Sequence, residues 1–221
     1  MVRKALLICG VLSSLLYVGA DIFGAMLWES YSYTSQTVSE LSAIGAPTRP
    51  LVVPFFLAYD VLVIAFGVGV WGSAGRKRAM RVVGGLLVGY GVVCLTGPFT
   101  PMHQREVLAA GGGTLTDTLH IIGTNVDVLF ILLIIGFGAT AFGKRFRLYS
   151  IGTILVLLVF GALTGLDGPR IQANLPTPWV GVMERICIFG SMLWVAVLAI
   201  ALLRVQGETA PRRLGGRRDS G

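Results

Sequence analysis

The chain has 221 residues, of which 54% are hydrophobic and 13% are charged, and its formal net charge is +7. A soluble domain carries about 25% charged residues, so this composition, with a mean hydropathy of +0.78, excludes an ordinary soluble enzyme and a disordered chain. It predicts an integral membrane protein with one compact domain.

Six apolar stretches are long enough to cross a bilayer, which requires about 20 residues in a helix. They predict spans at residues 5–28, 50–72, 79–98, 117–142, 148–166 and 178–203. We therefore expect an all-α, six-helix transmembrane bundle in residues 1–206, followed by a basic, disordered cytoplasmic tail at 207–221. The first span begins like a signal peptide, but its apolar run continues through Leu27, so we expect it to be retained.

The positions of the basic residues predict how the bundle is oriented. Of the 18 Lys and Arg residues, 14 lie in the N-terminal segment, the second and fourth connections and the C-terminal segment. Because cytoplasmic segments carry an excess of Lys and Arg, we expect both termini in the cytoplasm and a multi-pass protein of the cell (cytoplasmic) membrane. The positive net charge then reflects the membrane topology. The expected partner is the lipid bilayer, and no nucleic-acid partner is expected.

Glycine is unusually frequent, with 30 residues in the chain. Pairs such as Gly85 with Gly89 and Gly161 with Gly165 have the spacing that allows helices to approach closely in lipid. They predict tight packing within the bundle, and they leave open an oligomer that forms through the same glycine-rich faces.

The first outer loop contains a helix signal. Thr37 and Glu40 have the spacing of a capping box, and Gly45 followed by Pro47 can end the helix. We expect a short interfacial helix here, with Ser39 and Glu40 as candidate ligand-binding residues. In the alternative interpretation, these two side chains only satisfy backbone groups.

Three carboxylates lie inside predicted spans. From the helix rise, Asp21, Asp60 and Asp127 are each roughly 12–16 Å below the outer boundary. An ionisable group at this depth is costly and usually faces the bundle interior or a water-filled cavity. The three residues therefore predict the floor of an outward-facing polar pocket, although interhelical hydrogen bonds would also account for them.

The sixth span carries an adjacent acid and base. Glu184 and Arg185 point about 100° apart on a helix, so they cannot simply pair with each other. We expect Arg185 to meet a carboxylate from another helix, Asp21, Asp60 or Asp127. Glu184 is a further candidate for ligand binding.

Polar residues also form a stripe on the fourth span. Asp117, His120, Thr124 and Asp127 follow at helical spacing on one face, and His103 lies in the preceding loop. No nucleotide or haem motif is present. With only two histidines, a metal site would have to combine His103, His120 and a carboxylate such as Asp117, and nothing in the spacing requires one.

These residues support three functional hypotheses. The first is a pocket that binds or translocates a small molecule or lipid, formed by Asp21, Asp60, His120, Asp127, Glu184 and Arg185, with Ser39, Glu40, His103 and Thr124 as further ligand-binding candidates. The second is an intramembrane enzyme acting on a lipid or lipid-linked substrate from the outer leaflet, with His120 as general acid/base, Asp127 orienting it and Arg185 binding an anion. The third is a structural or accessory membrane protein.

The segment from Thr37 to Pro47 reads TVSELSAIGAP. Together with His120 and the Glu184-Arg185 pair, it resembles the prokaryotic six-span family catalogued as domain of unknown function 998. The resemblance covers residues 5–203. It implies a six-span membrane fold and an uncleaved first span, but it does not imply any particular activity.

Overall fold

The computed structural model describes residues 1–208, which contain eight α-helices and no β-strand. The helices are α1 (Val2–Leu27), α2 (Arg49–Ser73), α3 (Arg78–Cys94), α4 (Arg105–Ala109), α5 (Leu115–Gly138), α6 (Lys144–Leu166), α7 (Gly168–Gln172) and α8 (Val180–Glu208). Two short 3-10 helices, Val38–Ser42 and Gly97–Phe99, follow α1 and α3.

Six helical segments are long and apolar enough to cross a membrane: α1, α2, α3 together with the 3-10 helix after it, α5, α6 together with α7, and α8. The predicted all-α, six-span architecture is therefore confirmed. Helix α8 runs on to Glu208, and the rest of the predicted basic tail, residues 209–221, lies outside the described residues.

Predicted and observed helix ends also differ around the fourth and fifth spans. Helix α5 ends at Gly138, where the chain turns and the Thr140 hydroxyl donates to the Phe137 carbonyl at 2.8 Å. Helix α6 already begins at Lys144, so Arg147 lies within its first turn. Hydropathy locates the apolar part of a helix, whereas the backbone continues helically through charged residues at its end.

The six long helices form a closed ring. Each packs against the next along the chain, and α8 returns to pack against α1. The contact between α5 and α6 is the sparsest in the ring. Because α8 is next to α1 and α3 lies between α2 and α5, this order decides which membrane-embedded charges can meet.

Small residues let bulky side chains fill the ring. Trp194 of α8 is fully buried, lies against Gly138 of α5 and donates from Nε1 to the Ser150 hydroxyl of α6 at 2.9 Å. Phe66 of α2 covers Gly10 of α1 in the same way. A Cβ on either glycine would overlap the aromatic ring, so these positions join helix pairs by close approach.

The glycine pairs of α3 and α6 differ in their surroundings. Gly85 and Gly89 of α3 pack against Trp71 and Phe130, so this pair serves packing within the bundle. Gly165 of α6 has no atom near the position of a Cβ, so an oligomer formed through that face stays a prediction.

The three longest connections, residues 28–48, 95–114 and 167–179, meet at one end of the ring, which we call the long-loop end. Ile44 pairs with the 102–103 backbone, and the Gly181 amide donates to the Thr34 carbonyl at 2.9 Å. The capping box of Thr37 and Glu40 is present at the start of the Val38–Ser42 helix, as predicted. The polar residues considered below are held at this end or directly beneath it.

Candidate functional site

A buried ion pair joins the first and last helices. Arg185 of α8 donates from Nε and Nη2 to the two carboxylate oxygens of Asp21 on α1, at 3.0 and 2.8 Å. Asp21 is 0% exposed and Arg185 is 3% exposed. The prediction that Arg185 meets a carboxylate from another helix is confirmed, and the partner is Asp21.

Two tyrosines from the first loop complete this pair. Tyr33 donates its hydroxyl to Asp21 at 2.7 Å, and its ring lies 3.6 Å from the Arg185 guanidinium. The Tyr31 hydroxyl accepts from Arg185 at 2.7 Å. Burial, followed by the hydrogen bond to Asp21, raises the pKa of Tyr33 to about 12, and burial raises the pKa of Tyr31 as well. Both phenols therefore remain neutral hydrogen-bonding groups at physiological pH.

Glu184 points away from its neighbour Arg185 and supports the loop. Its Oε2 accepts from the backbone amide of Val38 at 2.5 Å, at the first residue of the 3-10 helix. Nearby, Gly181 allows the carbonyls of Tyr33 and Gln36 to lie directly against α8. The acid and base of the sixth span thus hold the first loop on the bundle and do not line an open pocket.

A second buried ion pair joins the first and third connections at the long-loop end. Arg105 donates to Glu40 from Nε at 2.6 Å and from Nη2 at 2.7 Å, and it also donates to the Thr177 hydroxyl at 2.7 Å. Arg105 is 8% exposed and Glu40 is 2% exposed. Arg105 was not predicted as a site residue. The feature that could have identified it is its position, since it is one of four basic residues outside the predicted cytoplasmic segments.

Of the three residues that a metal site would have to combine, two meet and the third is bonded elsewhere. His103 Nδ1 lies 2.9 Å from Asp117 Oδ2, and the His103 amide donates to the same carboxylate at 2.7 Å. His120 instead bonds through Nδ1 to the Thr100 carbonyl at 3.1 Å. Within residues 1–208, no group of three or more His, Cys, Asp or Glu has an arrangement that could hold a metal.

The polar stripe on α5 does not line a single cavity. Thr124 is exposed, and its hydroxyl donates to the His120 carbonyl one turn earlier. Across the described chain, no hydrogen bond links His120 to Asp127 or to Arg185, so the three candidate catalytic residues are not assembled. The Ser39 side chain also has no hydrogen bond to a described residue, and its carbonyl accepts from Ser42.

The membrane carboxylates do not share one floor, contrary to expectation. Asp21 belongs to the α1–α8 ion pair, whereas Asp60 of α2 and Asp127 of α5 interact electrostatically with each other. The Cys94 thiol of α3 donates to Asp127 at 3.5 Å. Their equal depth stays a prediction, and the ring order separates the acids into two groups.

A cavity with a volume of about 550 Å³ lies at the long-loop end. Its walls are formed by residues 28, 30, 32, 35 and 36 of the first connection, by segments 104–106 and 174–178, and by Glu40, and we call it the loop groove. Gln36, Gln104, Glu106 and Asn174 contribute polar side chains, and Trp28 contributes an aromatic surface. The Arg105–Glu40 pair fixes one wall and leaves little hydrogen-bonding capacity for a ligand.

Six membrane-length helices, closed by a loop cap that buried ion pairs hold in place, define a multi-pass membrane protein. The chain belongs to the family described as "Protein of unknown function (DUF998)", whose model matches residues 11–201. No curated protein and no solved structure shows a significant match to this chain.

Proposed function

We propose that this protein binds a small polar molecule, or the headgroup of a lipid, in the loop groove, as a receptor or as the first step of translocation. The observation that carries the proposal is the cavity itself, about 550 Å³ in volume and walled by three separate connections. Small-molecule sites are typically about 300–1,000 Å³ and largely preformed. The buried Arg105–Glu40 pair provides that preformed wall.

The groove lining indicates the class of ligand. Gln36, Gln104 and Asn174 offer amide donors and acceptors, Glu106 adds an acceptor, and Trp28 offers a flat apolar face. Arg105 already serves Glu40, Thr177 and the Ser35 carbonyl. The chemistry therefore favours a neutral or cationic ligand rich in hydroxyl or amine groups over an anion.

The predicted site residues take different parts in this proposal. Glu40 lies in the groove wall, whereas Asp21, Glu184 and Arg185 hold the loop that forms the groove. Their role is to position the cap. The enzyme hypothesis has no comparable support, because His120 is held by Thr100 and is not paired with Asp127 in the described residues.

We also propose the orientation and location of the bundle. The second and fourth connections carry clustered Lys and Arg, which supports cytoplasmic termini and a long-loop end outside the cell (cytoplasmic) membrane. In this orientation the Val38–Ser42 helix lies at the outer interface. The loop groove then opens toward the outside.

The test is ligand-dependent thermal unfolding of the protein in lipid nanodiscs. The probes are polyols, hexoses, amino sugars, choline, ethanolamine and phospholipids that differ in headgroup. A ligand at 100 times its Kd should stabilise the fold by about 2.7 kcal/mol. We expect at least one probe class to stabilise the wild type but not a Glu106→Gln/Asn174→Ala variant.

Glu29→Gln is the matched control, because Glu29 is exposed at the long-loop end and is not part of the groove wall. It should keep the wild-type response. If no probe stabilises the wild type, or if the double variant responds equally, the groove is not a binding site.

The structural or accessory hypothesis rests on a different observation, the two buried ion pairs that tie the loops to the helices. It predicts that Asp21→Asn destabilises the fold while the effect of every probe on unfolding stays unchanged. The same nanodisc assay separates the two hypotheses.

A further inference from the structure

Asp60 is a buried acid without a hydrogen-bond partner. It lies 11 residues along α2 from Arg49, which places it about 16 Å from the helix start, near the middle of the helix. The residue is 4% exposed, and its carboxyl group makes no hydrogen bond to any other residue in the described part of the chain. Such a group at membrane depth is costly and marks a functional site by default.

Asp60 lies near enough to a second acid to interact with it electrostatically. Asp127 of α5 interacts electrostatically with Asp60, and both acids interact with Cys94 at the end of α3, between the two helices. The Cys94 thiol donates to Asp127 Oδ1 at 3.5 Å. Three neighbouring helices of the ring thus bring two carboxyl groups and one thiol into the same region, and the thiol is bonded to Asp127.

No positive charge compensates these acids. In residues 1–208, neither carboxylate forms a salt bridge, since the buried Arg105 and Arg185 serve Glu40 and Asp21. The titratable groups around the pair are Tyr17 from α1, Tyr59 from α2, and Tyr90 and Cys94 from α3. Through Tyr17 they also include Glu184 from α8 and Asp21 from α1, whose charge is already paired with Arg185. Tyr59 and Tyr90 hydroxyls are 3.3 Å apart, and none of these groups is cationic.

We propose that Asp60 and Asp127 form an intramembrane proton-binding pair, in which one carboxyl group carries a proton and exchanges it with water while the protein stays folded. Two like charges at this depth without a cation cannot both be ionised cheaply. Asp127 accepts the Cys94 hydrogen bond and is the ionised member, so Asp60 holds the proton. A proton needs no coordination shell, whereas the described residues offer too few ligands for a metal ion.

This site is separate from the loop groove and does not depend on it. Asp60 and Asp127 lie inside spans, and neither lines the groove. The protein would therefore bind a proton in the membrane region even if the groove bound nothing.

The test is infrared spectroscopy of the full chain in lipid, with ¹³C-labelled aspartate, across a pH titration. We expect one protonated aspartate carboxyl band in the wild type that shifts in D2O and disappears as the pH rises. Asp60→Asn should remove the band. Asp60→Glu, which keeps the carboxyl group, should replace it with an unlabelled glutamic acid band.

Asp167→Asn is the matched control, because Asp167 forms a partly exposed ion pair with Arg170 at the end of α6. It should leave the band unchanged. The proposal is overturned if the wild type shows no protonated aspartate, if the band survives in a folded Asp60→Asn variant, or if its midpoint moves when choline is replaced by Na⁺ at constant ionic strength.

Discussion

The guanidinium of Arg185 illustrates how a charge is tolerated inside this bundle. Its donors reach both oxygens of Asp21, the Tyr31 hydroxyl and the Tyr33 carbonyl. Removing two charges from water costs several kcal/mol, and their attraction offsets that cost only when the geometry is good and the remaining hydrogen bonds are satisfied. Both conditions hold at this pair.

Removing only the base should therefore be severe. We expect Arg185→Gln to lower the free energy of unfolding by about 3–5 kcal/mol, because it leaves Asp21 buried without its partner. Arg185→Lys should rescue little, since an ammonium cannot form the two-pronged contact. The double variant Asp21→Asn/Arg185→Gln should be more stable than Arg185→Gln alone, as measured by equilibrium unfolding in mixed micelles.

Asp167→Asn provides the control, because the Arg170 side chain is half exposed and its Nε lies 3.7 Å from Asp167 Oδ1. Breaking it should cost no more than about 1 kcal/mol. Equal losses in Arg185→Gln and in this control would contradict the role assigned to the buried pair.

The polar residues also show what the sequence can and cannot predict. It places Asp21, Asp60 and Asp127 at similar depth, because depth depends only on position along a helix. It does not give the rotation of each helix or the ring order, and these pair Asp21 with Arg185 but leave Asp60 beside Asp127. Arg105 was missed because the path of a long connection has no periodic pattern.

Among the elements, the short Val38–Ser42 helix is held by contacts from several parts of the chain. Thr37 and Glu40 form its capping box, and Glu184 accepts a hydrogen bond from its first backbone amide. Arg105, in the connection between α3 and α5, forms an ion pair with Glu40. The capping box was predictable because it is local. The two contacts from α8 and α4 were not, because they join residues 146 and 65 positions apart, respectively.

Gly181 is where this cap touches α8. A Cβ at this position would overlap the carbonyl oxygens of Tyr33 and Gln36. These are backbone atoms and cannot rotate away, so we expect Gly181→Ala to lift the loop from the helix. Hydrogen exchange should then speed up at the amides of residues 34–44, while the amides of α2 and α3 remain protected.

Gly152→Ala is the matched substitution within a helix, because no atom lies near the position of its Cβ. It should leave loop exchange unchanged and stabilise α6 slightly, since alanine favours helix over glycine by about 1 kcal/mol. Loop protection that is identical in the two variants would show that Gly181 does not hold the cap.

For the whole molecule, hydropathy alone was sufficient to predict six helices, because the bilayer imposes one length and one composition on every span. The closure of the ring by α8 against α1 was not predictable from that signal. It depends on specific contacts between the first and last helices, including the ion pair of Asp21 and Arg185.

The orientation of the ring gives a prediction at this scale. In a variant without the three native cysteines, Ser32→Cys at the long-loop end should react with a membrane-impermeant maleimide in intact cells. Thr140→Cys, in the connection between α5 and α6, should react only after permeabilisation. Both positions are exposed, so a reversed pattern would mean that the termini lie outside.

The Asp21–Arg185 pair joins residues 164 positions apart, and this has a consequence for biosynthesis. The first helix enters the membrane while the codons of the last helix are still untranslated, so its carboxylate waits without a counterion until synthesis is nearly complete. Truncated or stalled chains would expose that acid to lipid.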